Sequence, residues 1–318
     1  MNKKTSFLIV FLLLVAAFLA GSTAAKIKYF DKASQDAKPT VAPQAVGPTP
    51  PPFEPRKADK PEVKFFVMSF CPYGNQAEAG LEPVYQLLKD KVSWQPRYIV
   101  NDQKSSCEQS CPYRVYNDEA QKRCEEAIAN GQVEDMDTCK GYFPYSSTEE
   151  CLTKECSKLA AGKYESLHGE QELNQDVREI CAYSQLTEGQ NSVLGAEAEK
   201  GILDQWWKFV SLVNTNCSDK NADTCWTKQA QEAGLNTAQI SSCSQTQAKT
   251  LMTNEITESE KYRASGSPTF YINDVLYQGG RAPEDLKKAI CASFDNPPEE
   301  CNQSLGQETG SASGGCGQ

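Results

Sequence analysis

The sequence predicts an α/β fold with a mixed sheet and an inserted, disulfide-rich α-helical subdomain. Three observations carry that prediction. The run Val63 to Phe70 is β-branched and aromatic, and it passes directly into Leu81, Val84, Leu87 and Leu88 at helical spacing. Strand signal then fades from Ser105 to Arg263, where ten of the fourteen cysteines fall. It returns between Ser267 and Gly280 as two β-rich runs around Asn273-Asp274, followed by a last amphipathic helix.

The chain begins with a positive Asn2-Lys3-Lys4 and an uncharged, mostly apolar run from Thr5 to Ala25. Residues 1–25 therefore read as a signal peptide or a membrane anchor. Ser22 follows Leu19-Ala20-Gly21, so no lipobox cysteine is present. Either outcome places the body outside the cytoplasm, secreted or held at the membrane by its N-terminal segment. Residues 26–62, with Pro48-Thr49-Pro50-Pro51-Pro52 among them, are too rich in Pro, Ala and Lys to build a core, and read as a Pro-rich linker.

The first part of the α/β domain spans 63–104, where Lys91 to Val100 supplies a second strand. It runs parallel to the first because a helix joins the two. The insert covers 105–263, with helical patterns at 118–130, 148–161 and 197–213. In the last of these Ile202, Trp206, Phe209, Val210 and Val213 share one face, and Trp206 and Trp207 read as core of the insert. Asn236 to Gln239 has the form of a capping box opening a short helix. The second part of the domain spans 264–301, where Pro283 occupies the first turn of a helix bearing Leu286, Ile290 and Phe294. A Gly/Ser-rich flexible tail fills 302–318.

Charge and residue counts exclude several functions. A net charge of -10 argues against nucleic acid and anionic lipid as partners. His168 is the single histidine, which removes His-based zinc sites and Ser-His-Asp chemistry. In an exported chain the cysteines are expected in disulfides rather than on a metal, and neither metal nor organic cofactor is expected.

Cys71 is the residue with the strongest chemical signature. It lies where a strand turns into a helix that Pro72 opens, and there free backbone N–H groups and the positive end of the helix dipole favour a thiolate. With Cys71-Pro72-Tyr73-Gly74 at one end and Ser267-Pro268-Thr269 at the other, the chain resembles the thioredoxin superfamily. That likeness implies a thioredoxin-like fold, a nucleophilic Cys71, and a cis-proline loop whose Ser267, Pro268 and Thr269, with Pro72 and Tyr73, hold an extended substrate. Gly74 stands where the family carries its second cysteine, so Cys71 must find a partner elsewhere.

Two narrower resemblances follow. The segment around Cys181, Trp206-Trp207-Lys208-Phe209-Val210, then Cys217, Cys225, Cys243, Cys291 and Cys301, resembles the central luminal region of plant vacuolar sorting receptors. Around His168-Gly169-Glu170 a weaker likeness runs to the gamma-interferon-inducible lysosomal thiol reductase family, without the cysteines that flank that motif there. The reductase likeness implies cleavage of protein disulfides. The receptor likeness implies ligand binding without catalysis.

Setting aside Cys71, and Cys316 in its flexible tail, leaves Cys107, Cys111, Cys124, Cys139, Cys151, Cys156, Cys181, Cys217, Cys225, Cys243, Cys291 and Cys301. These are expected to form six structural bridges, Cys291 with Cys301 and Cys217 with Cys225 among them. Cys71 and Cys316 are then expected unpaired, with Cys316 on its tether as the resolving thiol. The expected function is extracytoplasmic thiol–disulfide exchange on exported proteins or peptides, recharged by a membrane or soluble dithiol partner. The alternative is a non-catalytic protein- or peptide-binding ectodomain.

Overall fold

A computed structural model describes residues 53–187 and 203–306. The expected leader or anchor at 1–25, most of the Pro-rich stretch and Cys316 lie outside the described residues. Among the described residues no helix is long and apolar enough to cross a membrane.

Four strands make the main sheet: β1 (Glu62–Val67), β2 (Ser93–Tyr98), and further along the chain β5 (Thr269–Ile272) and β6 (Val275–Tyr277). Their spatial order is β2-β1-β5-β6. Val63 sits opposite Trp94 and Val67 opposite Tyr98 in parallel register, while Phe66 sits opposite Thr269 in antiparallel register, so the sheet is mixed. The β5–β6 hairpin turns on Asn273 and Asp274, both at positive φ (48° and 62°), which these two residue types tolerate better than most.

Between β2 and β5 come β3 (Asn101–Asp102), α2 (Gln103–Ser110), α3 (Asp118–Ala129), α4 (Met136–Lys140), α5 (Thr148–Lys154), β4 (Tyr164–Glu165), α6 (Glu170–Thr187), α7 (Leu203–Asn216), α8 (Ala222–Glu232) and α9 (Thr237–Tyr262); α1 (Pro72–Leu88) precedes β2 and α10 (Pro283–Ala292) follows β6. Helices α7 and α10 both pack on α1, and α6 and α9 pack on β2 and on each other. The helices from α6 onward thus share the sheet's core rather than forming one of their own. Phe65 of β1 stacks on Trp207 with ring centroids 5.6 Å apart, and Trp206 meets Trp207 edge-on at 5.0 Å. Trp206 and Trp207 are core residues, as expected, but of the sheet's own core. Each such fully buried side chain stabilises the fold by roughly 1.5–3 kcal/mol.

The stretch from α2 to β4 is built differently. Helix α2 buries none of its residues, and the local core consists of Cys111, Val115, Tyr145, Cys151 and Cys156. Covalent staples substitute for apolar mass there: Cys107–Cys156, Cys111–Cys151 and Cys124–Cys139. Three more bridges, Cys181–Cys243, Cys217–Cys225 and Cys291–Cys301, tie α6 to α9, the end of α7 to α8, and α10 to the residues after it. All twelve expected structural cysteines pair among themselves, and both named bridges are present.

Two local expectations change. The helix capped by Asn236, whose side chain accepts from the N–H groups of Ala238 and Gln239, is not short; it runs 26 residues, because Ile240, Leu251, Met252 and Tyr262 continue its buried side. The end of the Pro-rich stretch is packed rather than free. Ala58 exchanges backbone hydrogen bonds with Ser293 and Asp295, and the Phe53 ring meets Tyr277 edge-on at 5.3 Å.

Candidate functional site: a bridged cysteine facing a cis-proline

Strand β1 ends at Val67, three residues turn the chain, and Cys71 caps α1 in extended conformation with Pro72 at the first helical position. The turn closes through the Cys71 N–H donating to the Met68 carbonyl at 3.0 Å. Opposite it the Ser267–Pro268 peptide is cis. The Ser267 hydroxyl accepts the Met68 N–H at 3.1 Å, and the Ser267 carbonyl oxygen lies 3.4 Å from Cys71 Sγ. The fold thus brings Cys71 and Pro72 at the start of α1 together with Ser267 and Pro268. Tyr73, Ser267, Pro268 and Thr269 line a groove of about 580 Å³ with Ser265, Gly266 and Arg281. The Arg281 guanidinium stacks 5.6 Å over the Tyr73 ring.

One expectation for Cys71 does not hold. It was expected to be an unpaired thiol, and it is disulfide-bonded and fully buried. A bonded sulfur has no proton to give, so the approach to the Ser267 oxygen is a contact, not a hydrogen bond.

Gly74 stands where the sequence resemblance would place a second cysteine, and the space beside it is taken. A Cβ added there would lie 2.6 Å from Ser267 Oγ and 3.3 Å from the Met68 carbonyl oxygen. The serine hydroxyl occupies the space, and satisfies the Met68 N–H in doing so.

Beneath the Cys71 turn lies a set of buried acids that sequence reasoning missed. Asp176 Oδ1 accepts from the Ser69 N–H at 3.0 Å and the Ser69 hydroxyl at 2.6 Å, and Glu172 Oε1 accepts from the Phe70 N–H at 2.9 Å. Glu172 also receives His168 Nδ1 at 2.8 Å and the Ser166 hydroxyl at 2.7 Å. Burial, then the neighbouring Glu172 charge, pushes the Asp176 carboxyl well above its usual range. Among the described residues its Oδ2 has no hydrogen-bond partner. Farther along α6, burial pushes Glu179 up to about 7, and it receives the Tyr98 hydroxyl at 2.7 Å and Gln175 Nε2 at 3.0 Å. The available signal was the spacing of Glu172, Asp176 and Glu179 along one side of α6. Apolar periodicity assigns such a side to solvent.

Potential metal ligands gather, among the described residues, at Cys107, Cys111 and Cys156, whose sulfurs are all committed to disulfides. The arrangement sets a buried disulfide sulfur at a helix start against the backbone of a cis-proline loop, with an open groove along that loop.

Comparison with known proteins adds three findings. Residues 147–291 match the vacuolar sorting receptor thioredoxin-like domain family. No curated protein matches the sequence. Among solved structures, the reduced form of the disulfide bond oxidoreductase DsbG from Mycobacterium tuberculosis is similar at 11% identity and a TM-score of 0.40, covering 76% of this chain and 81% of that one. A protein provisionally described as a protein disulfide isomerase from Nitrosomonas europaea is similar at 11% identity and a TM-score of 0.40, covering 73% and 96%. The fold assignment rests on the strand order, the cis-proline and the family match rather than on these distant structures. On that basis the chain has a thioredoxin-like fold and resembles, over residues 147–291, the thioredoxin-like domain of vacuolar sorting receptors.

Proposed function

We propose that the protein is an extracytoplasmic thiol–disulfide oxidoreductase in which Cys71 is the exchanging sulfur and Cys316 its intramolecular partner. One observation carries the reading: Cys71 is disulfide-bonded while the twelve structural cysteines bond only one another. Cys316 is the one cysteine of the fourteen outside the described residues, and its pairing with Cys71 is part of the proposal. Gly74 removes the usual second thiol, and the tail returns one from the other end of the chain.

The exchange balances as follows. A substrate thiolate entering the groove attacks Cys71 Sγ, the bond to Cys316 breaks, and Cys316 leaves as a thiolate. The substrate's second thiolate then attacks its own sulfur in the mixed disulfide and expels Cys71 as a thiolate at the start of α1, where the helix dipole stabilises it. The substrate dithiol becomes a disulfide, and two electrons stay on Cys71 and Cys316 until another disulfide takes them. The reverse sequence reduces a substrate. Ser267, Pro268 and Thr269 hold the substrate backbone, and Tyr73 shapes the rim.

The number of structural disulfides supports an oxidising, extracytoplasmic compartment. In the test, Cys316→Ser is expected to accumulate mixed disulfides between Cys71 and exported proteins. Normal turnover of a dithiol peptide by that variant overturns the role of Cys316.

A second reading, a peptide-binding ectodomain without turnover, is favoured by the family match itself, which spans Ser267 to Thr269 but does not reach Cys71. Peptide binding that persists in Cys71→Ser, together with no dithiol oxidation by the intact chain, selects this reading.

A further inference from the structure

Arg281 is the one charged residue lining the groove along the cis-proline loop, and its guanidinium stands 5.6 Å over the Tyr73 ring. Its backbone lies against α1. A Cβ at Gly80 would meet the Arg281 carbonyl oxygen, so glycine there lets the segment before α10 rest directly on the helix. Tyr73 and Gly80 are seven residues apart in α1, which places both on one face of it. One helix face therefore holds the Arg281 main chain at one end and its side chain at the other.

The guanidinium has donors to spare. Among the described residues no carboxylate pairs with it and no carbonyl accepts from it; its contact is with the Tyr73 ring. A cation–π contact uses none of the five N–H donors. Their planar fork matches a carboxylate in two parallel hydrogen bonds, which a lysine ammonium or a neutral amide does not reproduce. The other residues lining the groove are uncharged, so no acid on its wall competes for the fork. The chain as a whole carries a net charge of -10, which gives an acidic peptide no long-range attraction. A preference for such a peptide has to come from this one contact.

We infer that Arg281 is a specificity residue, and that the groove selects peptides carrying an Asp or Glu side chain beside the reacting cysteine. That carboxylate pairs with the Arg281 guanidinium while the peptide backbone lies along Ser267 and Pro268. The inference rests on the reading of this groove as the substrate site, and it names the class of substrate taken there. Tyr73, the platform under the guanidinium, lies two positions after Cys71 in the first turn of α1. The acidic residue therefore belongs beside the cysteine rather than farther along the peptide, since each extended residue moves the chain about 3.3 Å.

The test uses the intact, oxidised chain and a pair of dithiol peptides, acetylated and amidated so that neither end is charged, identical except for Glu or Gln next to the first cysteine. The Glu peptide is expected to be oxidised with a kcat/KM about tenfold higher, the gain from one charge-assisted contact. Arg281→Gln is expected to bring the two peptides together, and Arg281→Lys, which keeps the charge without the fork, to retain only part of the preference. A second measurement separates this inference from the exchange reaction. The same peptides with serine for both cysteines, which cannot exchange, are titrated while the Arg281 Nε–H resonance is followed. The Glu analogue is expected to shift it saturably and the Gln analogue to leave it in place. Those shifts without any dithiol oxidation uphold the role of Arg281 and refute the exchange reading. Equal oxidation of both peptides refutes the role of Arg281 and leaves the exchange reading intact. Equal response of the resonance to both analogues, or a Glu preference that survives Arg281→Gln, overturns the inference as well.

Discussion

Gly74→Ala is the perturbation whose sign depends most sharply on the geometry of the site. Alanine is worth up to about 1 kcal/mol more than glycine inside a helix, and Gly74 lies in the first turn of α1, so propensity alone predicts a gain. The new Cβ, however, would stand 2.6 Å from Ser267 Oγ, and that hydroxyl is the acceptor of the Met68 N–H. Rotating it away leaves a buried N–H unmet, at a cost of about 1–3 kcal/mol. The net effect in the native background is a loss of up to ~2 kcal/mol. In a Ser267→Ala background the hydroxyl is already gone, and the same substitution is expected to stabilise by roughly 0.5–1 kcal/mol. Urea unfolding of the four chains with disulfides intact measures both numbers as midpoint shifts at constant slope. A Gly74→Ala shift of the same sign and size in both backgrounds refutes the reasoning. The corollary concerns chemistry: Gly74→Cys alone does not restore a working Cys-x-x-Cys pair, because the same hydroxyl blocks it.

Other expectations follow from the buried acids and the bridges. Glu179 and Glu255 are both pushed up to about 7 by burial, so the folded chain keeps protons that the unfolded chain sheds above about pH 4.5. Their contribution to stability is therefore fully present below that pH and is lost as pH rises through 7; Glu179→Gln is expected to remove on the order of 3 kcal/mol of that pH-dependent loss in unfolding curves taken from pH 4 to 8. The Gln175 amide can turn its unmatched Oε1 toward the new side-chain NH₂, so the variant is expected to fold. Loss of Cys181–Cys243, with a separation of 62 residues, is expected to cost about 4 kcal/mol when both cysteines become alanine. Loss of Cys217–Cys225, with a separation of 8, costs about 2–3 kcal/mol on the same argument, and thermal unfolding of the two double variants ranks them.

Much of the site was legible because local rules govern it. A strand, a Cys-Pro step and an amphipathic helix announced the Cys71 cap, and Ser267-Pro268-Thr269 announced the loop that faces it. The pairing of the twelve structural cysteines as a closed set followed from arithmetic, and Cys291–Cys301 and Cys217–Cys225 from short spans that can turn back. The connectivity of the rest depends on which helices pack, which spacing does not encode. The buried acids of α6 stayed hidden for a related reason. Polar residues at helical spacing look like a solvent face until a third element, the Ser69-Phe70 turn, supplies the N–H groups they accept. Trp206 and Trp207 were read as core, but their partner, Phe65, is more than a hundred residues away in the chain, and only the fold shows that one core serves both.

The central claim, that Cys71 and Cys316 form the exchanging pair, is tested most directly by mapping disulfides with mass spectrometry after proteolysis without reduction, across a series of glutathione redox buffers. The account predicts a linked peptide pair containing Cys71 and Cys316 that opens first, while the six structural bridges stay closed. A bridge from Cys71 to one of the twelve structural cysteines, or a Cys71 bridge no easier to open than theirs, contradicts it.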